Sequence, residues 1–187
     1  ELVADARLIR EQVERCRVIL SRMGDSAGSS TGESPEIVDV QDLLSGLRES
    51  LAGGEASRVV IHATERGAQV FGPRLNLGRA LGNLVRNALD ASVAGDAVEV
   101  SAASDASSVR LTVRDHGTGM TPPVLARASE PFFTTRPPGA GQGLGLFLAR
   151  AVAEQLGGGL RIDSEPGAGT TVTITLPRHS RGEVRVA

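Results

Sequence analysis

Lysine is absent from this 187-residue chain: all twenty basic residues are arginine. That absence removes several enzyme classes. A Walker-A loop sets a lysine on the phosphates, and Ser/Thr/Tyr protein kinases need one beside the nucleotide. Schiff-base enzymes use one as nucleophile. The G-x-G-x-x-G pattern is missing as well. A nucleotide bound here must be held by backbone amides, arginine and a metal ion.

Tryptophan and tyrosine are also absent, leaving Phe71, Phe132, Phe133 and Phe147. The core must therefore be built from Leu, Val, Ile and Ala. With 40% of residues apolar, the chain can build one full-size domain and a small appendage. Net charge is -2, and no basic run occurs. The clustered positive face and stacking aromatics of a nucleic-acid binder are missing. Cys16 is the single cysteine, which excludes an intrachain disulfide or a Cys-cluster metal site and suits a reducing cytoplasm. No stretch approaches the roughly 18 apolar residues of a membrane span, and no signal peptide is visible. The chain opens at Glu1 already in helical register, so it reads as a piece of a longer protein, with any membrane anchor upstream.

What is there begins with a helical seam. Leu2, Ala6, Ile9, Val13, Cys16, Leu20 and Met23 recur by fours and threes. This predicts a bundle helix over residues 1–23, about 34 Å long, whose seam needs a partner helix. A second copy of the chain is the obvious supply. Residues 24–35 are rich in Gly and Ser and read as a flexible linker. A compact domain is expected over residues 36–178, with a tail at 179–187. Within it, strands are predicted at 37–40, 58–63, 68–71, 97–103, 109–113, 160–164 and 170–176. Helices are predicted at 41–52, 73–93, 122–128 and 143–156. The mixture implies an α/β two-layer sandwich with a mixed, mostly antiparallel sheet and helices on one face.

Four segments carry chemistry. In the long helix, Asn83 and Asn87 are four apart and lie about 40° from each other round the axis, with Asp90 extending that face. Asn is a poor interior helix residue. A solvated face would explain the pair, and so would magnesium, which takes few protein oxygens and completes its octahedron with water and phosphate. Next, Asp115-His116-Gly117-Thr118-Gly119 follows a strand. Asp115 can accept from an amino group such as adenine's, and the glycines allow close approach to a planar group. A plain tight turn has the same composition.

Third, Glu130-Pro131-Phe132-Phe133-Thr134-Thr135-Arg136 leads through Pro137-Pro138-Gly139-Ala140 into Gly141-Gln142-Gly143-Leu144-Gly145-Leu146. Glycines opening a helix leave free N–H groups at its positive end, which suits phosphate. They also suit close packing. The preceding stretch has the composition of a lid, with the phenylalanines as anchors and Arg136 as a phosphate clamp. Last, Gly167-Ala168-Gly169-Thr170 is a hairpin turn that needs no further excuse by itself.

In this order and spacing, the N-x-x-x-N, D-x-G-x-G, E-P-F-F-T-T, G-x-G-L-G-L and G-x-G-T segments closely resemble the boxes of histidine kinase catalytic domains. These belong to the ATPase superfamily that includes gyrase, MutL and the ninety-kilodalton heat-shock chaperone. The resemblance runs over residues 37–177 and implies a Bergerat-type fold that binds ATP and Mg2+. Carried across, it implies that Asn87 binds magnesium and Asp115 reads the adenine amino group. Gly117 and Gly119 would shape the adenine floor, and Thr170 would back it. Arg136 and the amides around Gly141, Gly143, Leu144 and Gly145 would hold phosphates.

Asn83 stands where ATP-hydrolysing relatives place a glutamate base. An amide cannot take a proton at neutral pH, so the resemblance implies phosphoryl transfer to another residue. Gln142 departs from the family's usual Ser or Thr and caps a helix less well, which implies a looser junction. The acceptor should be a histidine in an H-E-x-x-x-P-like helix. Only His62, His116 and His179 occur, in other contexts, so the acceptor is expected upstream. The resemblance further implies a response regulator as partner, dimerisation through the bundle helix, and a cytoplasmic portion of an inner-membrane sensor.

Residues 10–17, Arg-Glu-Gln-Val-Glu-Arg-Cys-Arg, resemble the second bundle helix of Reg/Prr-type redox-responsive kinases. This implies a regulatory role for Cys16, whose pKa Arg15 and Arg17 would lower. A small buried hydrophobe is the plain alternative. An anti-sigma-factor-type serine kinase of the same superfamily and a non-enzymatic nucleotide-sensing scaffold are the rival functions.

Overall fold

The computed structural model describes residues 33–51, 53–62, 67–93, 95–137 and 141–179. The bundle seam with Cys16, most of the linker and the tail beyond His179 lie outside the described residues. The chain divides into two units, Glu1–Ser34 and Pro35–Ala187, and every described helix and strand belongs to the second.

Strand β1 (Glu36–Asp39) runs straight into helix α1 (Val40–Ser50), and a short turn of helix α2 (Gly53–Ala56) comes after it. Then come β2 (Val59–Ile61), β3 (Gln69–Gly72), the long helix α3 (Arg74–Ala91), β4 (Val98–Ser104) and β5 (Ser108–Asp115). Helix α4 (Pro122–Arg127), helix α5 (Gly145–Gln155), β6 (Gly159–Glu165) and β7 (Gly169–Pro177) complete the domain. Five strands form one sheet in the order β2-β4-β5-β7-β6, and β1 pairs with β3 in a separate two-stranded ribbon. Only β2–β4 is parallel, because the chain passes through β3 and α3 before returning, and parallel neighbours require such a crossover. Every other pair is antiparallel.

Burial along β5 alternates strictly, with Val109, Leu111, Val113 and Asp115 facing inward. Val98, Val100, Val172, Ile174 and Leu176 join them. Helices α1, α3 and α5 cover that face with Leu44, Leu81, Leu84, Val85, Ala149 and Val152. Burying each leucine fully contributes about 2 kcal/mol, and the close fit needs no aromatic side chain. The two-layer expectation holds, with the helices on one face.

Local boundaries differ from the sequence pattern where hydrogen bonding overrides composition. Val40, assigned to a strand, begins α1, because Asp39 caps the helix by accepting from the Gln41 N–H at 2.8 Å. Helix α5 starts at Gly145, two residues later than expected, since Gly143 adopts φ +65°. Helix α2 was unforeseen; four residues are too few to show a period.

Candidate functional site

One edge of α3 is where the separate motifs meet. Asn87 lies against the first residue of α5: a Cβ added to Gly145 would stand 2.9 Å from Asn87 Nδ2 and 3.4 Å from its Oδ1. One turn further along, Ala91 receives the first glycine loop. Its carbonyl accepts from the Thr118 N–H at 3.3 Å, and a Cβ on Gly117 would overlap that carbonyl. Between them Asp90 Oδ2 accepts from Arg136 Nη1 at 2.6 Å, across 46 residues of sequence. The α3 residues Asn83 and Asn87 are both half-buried, and Asp90 is exposed. The apolar stripe beside them is fully buried, as its period predicted.

Asp115 ends β5 and is only 5% exposed. Its Oδ1 accepts from the Gly117 N–H at 2.9 Å and the Thr170 N–H at 3.2 Å. Oδ2 accepts no hydrogen bond among the described residues. Burial pushes the carboxyl above its ordinary value of 3.8, and the two N–H donors hold it back only in part. Such a carboxylate gains from a donor brought to Oδ2.

Strand register lines up a row across three strands: Asp115 faces Thr170 on β7, and Thr170 faces Ser164 on β6. Ser164 Oγ lies 2.9 Å from Thr170 Oγ1, is 3.0 Å from the Gly169 carbonyl, and accepts from the Met120 N–H at 2.9 Å. No sequence motif pointed to Ser164. Only its position opposite Thr170 in a hairpin whose register was known would have revealed it. Gly119, at φ +62°, sits where a Cβ would overlap the Glu165 carbonyl, and the Gly167 N–H donates to the Thr118 carbonyl at 2.7 Å. The first and last glycine segments thus lock together.

The loop between α4 and α5 is fixed at its base. Phe132 has φ +65°, the only non-glycine in the left-handed region among the described residues. Its N–H donates to the Gly143 carbonyl at 2.9 Å. A side chain on Gly143 would meet the Phe132 and Phe133 backbone, with the Phe133 carbonyl oxygen 2.5 Å from the added Cβ. Arg127 lies 4.3 Å above the Phe133 ring and pairs with Glu130 at 2.9 Å. Helix α5 has no side-chain cap; Leu144, not Gln142, holds the position before it. Its first N–H groups therefore lack a capping side chain, as anion binding requires. Gly141 lies under the arm of Arg136, with an added Cβ 3.4 Å from Cδ.

The structure brings the predicted site residues together in separate sets: Asn87 with Gly145, Arg136 with Gly141, and Asp115 with Gly117 and Thr170, while Gly119 packs on the β6–β7 turn at Glu165. Asn83 lies one turn before Asn87 on the same helix, and Leu144 is buried beside Gly145.

Residues 72–180, more than half of the chain, match the family described as histidine kinase-, DNA gyrase B- and HSP90-like ATPase. The chain belongs to this family. Within the histidine kinase-like ATPases, the sensor kinase CckA of Brucella abortus is 34% identical over 77% of this chain, which spans 17% of that relative. SenX3 of Mycobacterium tuberculosis, a sensor-like histidine kinase, is 30% identical over 92% of this chain, which spans 46% of it. The chain therefore corresponds to less than half of either curated relative. The mycobacterial sensor histidine kinase MprB superposes with a TM-score of 0.65 at 28% identity, covering 78% of this chain and 99% of the other. Full-length ShkA, solved in complex with AMPPNP, gives 0.68 at 26% identity over 80% of this chain and 32% of the other. No helix among the described residues is long and apolar enough to cross a membrane.

Proposed function

We propose that this chain is the catalytic, ATP-binding portion of a sensor histidine kinase, and that it passes the γ-phosphoryl of Mg-ATP to a histidine on a bundle helix outside the chain. The observation that carries the reading is Asp115: a buried carboxylate with one oxygen satisfied by Gly117 and Thr170 and the other left for an amino donor. Adenine fits that acceptor, and the Gly117–Gly119 loop is packed so closely that a side chain at either glycine would strike backbone.

Magnesium fits as well. No group of three or more His, Cys, Asp or Glu among the described residues is arranged to hold a metal, so the ion would take its ligands from phosphate, water and the Asn87 amide oxygen, as magnesium commonly does. When bound, it would neutralise charge on the transferring phosphate. The α5 mouth at Gly145 and the Arg136 guanidinium supply the protein's own positive charge, with no lysine required. Asn83 cannot remove a proton from water, which favours transfer over hydrolysis.

The rest of the proposal extends from the sequence pattern and its resemblance to histidine kinases: dimerisation through the residue 1–23 seam, relay to a response-regulator aspartate, a cytoplasmic position beside the inner membrane, and oxidation of Cys16 as a regulatory input. The last part is tested by non-reducing electrophoresis and kinase output of the full protein, Cys16→Ala against wild type; identical responses to oxidant remove it. The central claim is tested by calorimetry with and without magnesium. Micromolar Mg-ATP binding that is weakened about tenfold or more in Asp115→Asn supports it, whereas absence of ATP binding in the folded wild type overturns it and leaves a scaffold. Transfer to a serine-bearing protein in place of a histidine-bearing bundle would make it a serine kinase.

A further inference from the structure

The contact between Asp90 and Arg136 joins the α4–α5 loop to α3, one turn from Asn87. Its geometry is specific. The Arg136 arm lies along Gly141, its backbone N–H donates to Thr134 Oγ1 at 3.1 Å, and Nη1 reaches Asp90 Oδ2 at 2.6 Å. Neither Arg86 nor Arg127 pairs with Asp90 among the described residues. Arg86, one turn before Asp90, folds back so that its Nη2 lies 3.6 Å from a Cβ added at Gly82. Arg127 is held by Glu130 and Phe133. Arg136 is the only ion-pair partner of Asp90 among the described residues.

We infer that Asp90 is a specificity-determining positioning residue: its carboxylate holds Arg136 in place of a phosphate, and a nucleotide must displace it to recruit the guanidinium. The inference rests on the proposed reading of Arg136 as a phosphate clamp. A carboxylate and a phosphate oxygen make the same charge-assisted bond to a guanidinium, so they compete for Nη1. Both partners are partly solvent-exposed, and an exposed pair of this kind is weak enough to exchange. The competition is graded by the charge of the ligand. A triphosphate, with more negative oxygens to offer, displaces Asp90 more readily than a diphosphate. Asp90 thereby lowers affinity for both nucleotides, and its removal favours ATP more than ADP.

The test is a double-mutant cycle read by calorimetry with Mg-ATP and Mg-ADP, after thermal unfolding has confirmed that each variant is folded. Asp90→Asn should bind Mg-ATP about two- to fivefold more tightly, the range that exposed ion pairs span, and Mg-ADP less so. Asp90→Glu, which keeps the charge, should behave as wild type. In an Arg136→Ala background the same Asp90→Asn change should do nothing. The inference is overturned if Asp90→Asn binds ATP equally or more weakly. It is also overturned if the gain survives without Arg136, since simple removal of a negative charge would then be the cause. If Arg136→Ala alone leaves ATP affinity untouched, the clamp reading itself fails. If Arg136→Ala weakens ATP while Asp90→Asn tightens nothing, the clamp stands and only the competition falls.

Discussion

On the proposed reading, Asp115 combines two roles that conflict. Its carboxylate is buried, which raises its pKa, yet a nucleotide needs the oxygen that burial penalises. Asp115→Asn separates these roles. The asparagine Oδ1 can still accept from Gly117 and Thr170, but an N–H2 donor replaces Oδ2 and faces the donor of adenine. ATP affinity should fall about 10- to 150-fold, equivalent to losing a charged hydrogen bond of roughly 1.5–3 kcal/mol. The nucleotide-free thermal midpoint should not fall, because a buried charge has been removed. The sign of the pH dependence is set by the same burial. The folded carboxyl keeps its proton to higher pH than an ordinary aspartate, so ATP affinity should decline as pH falls through a value above 3.8. Calorimetry from pH 7 downward checks this, and a decline that Asp115→Asn leaves unchanged would assign it to another group. Gly145 gives the complementary case. In Gly145→Ala the atoms nearest the new Cβ are the end of the Asn87 side chain, which can move. Thermal stability should hold or rise by up to about 1 kcal/mol, since alanine suits a helix better than glycine. The magnesium-dependent part of ATP affinity should drop roughly tenfold, comparable to one lost charge-assisted contact. Unaltered magnesium dependence would remove Asn87 from the metal's surroundings.

Among the elements, the β1–α1 junction depends on a single cap. Asp39→Ala removes the acceptor for the Gln41 N–H and should cost about 1 kcal/mol, a midpoint shift of roughly 2–4 °C for a domain of this size. ATP affinity should be unchanged, because α1 does not carry the glycine segments; a loss of affinity would show that α1 positions the site. Elements were legible where the cause is local. The buried stripe of α3 follows from its period, and the turn after β5 follows from Asp115 accepting from the Gly117 N–H two residues on. Features set by distant partners were not legible. Ser164 enters the site only through the register that places it opposite Thr170. Phe132 adopts a left-handed backbone that no bulky residue prefers, held there by the Gly143 carbonyl and by a glycine whose missing side chain makes room. The start of α5 shifted for the same reason. The spacing places Asp90 on a polar helix face, yet its partner lies 46 residues away.

For the whole molecule, the decisive question is where the phosphoryl group can go. If Asp115 marks the adenine end, then the α5 mouth and Arg136 mark the phosphate end. His116 stands beside Asp115, and its Nε2 lies 3.4 Å from Glu99 Oε1; His62 Nε2 lies 3.6 Å from the other oxygen of the same carboxylate. His179 stacks obliquely on Phe71, with ring centroids 6.2 Å apart. None of the three lies among the residues gathered at Gly145 and Arg136, and transfer demands an attacking atom within about 3.5 Å in line with the leaving oxygen. Mg-ATP at a hundredfold excess over its Kd should therefore stabilise the chain by about 2.7 kcal/mol, raising its midpoint by several degrees, without labelling it. Incubation with γ-labelled ATP should leave the chain blank, and adding a histidine-bearing bundle should yield acid-labile label on the added helix. Label on the chain alone would mean that one of its own histidines reaches the phosphate end, and would reverse the placement of adenine and phosphate argued from Asp115.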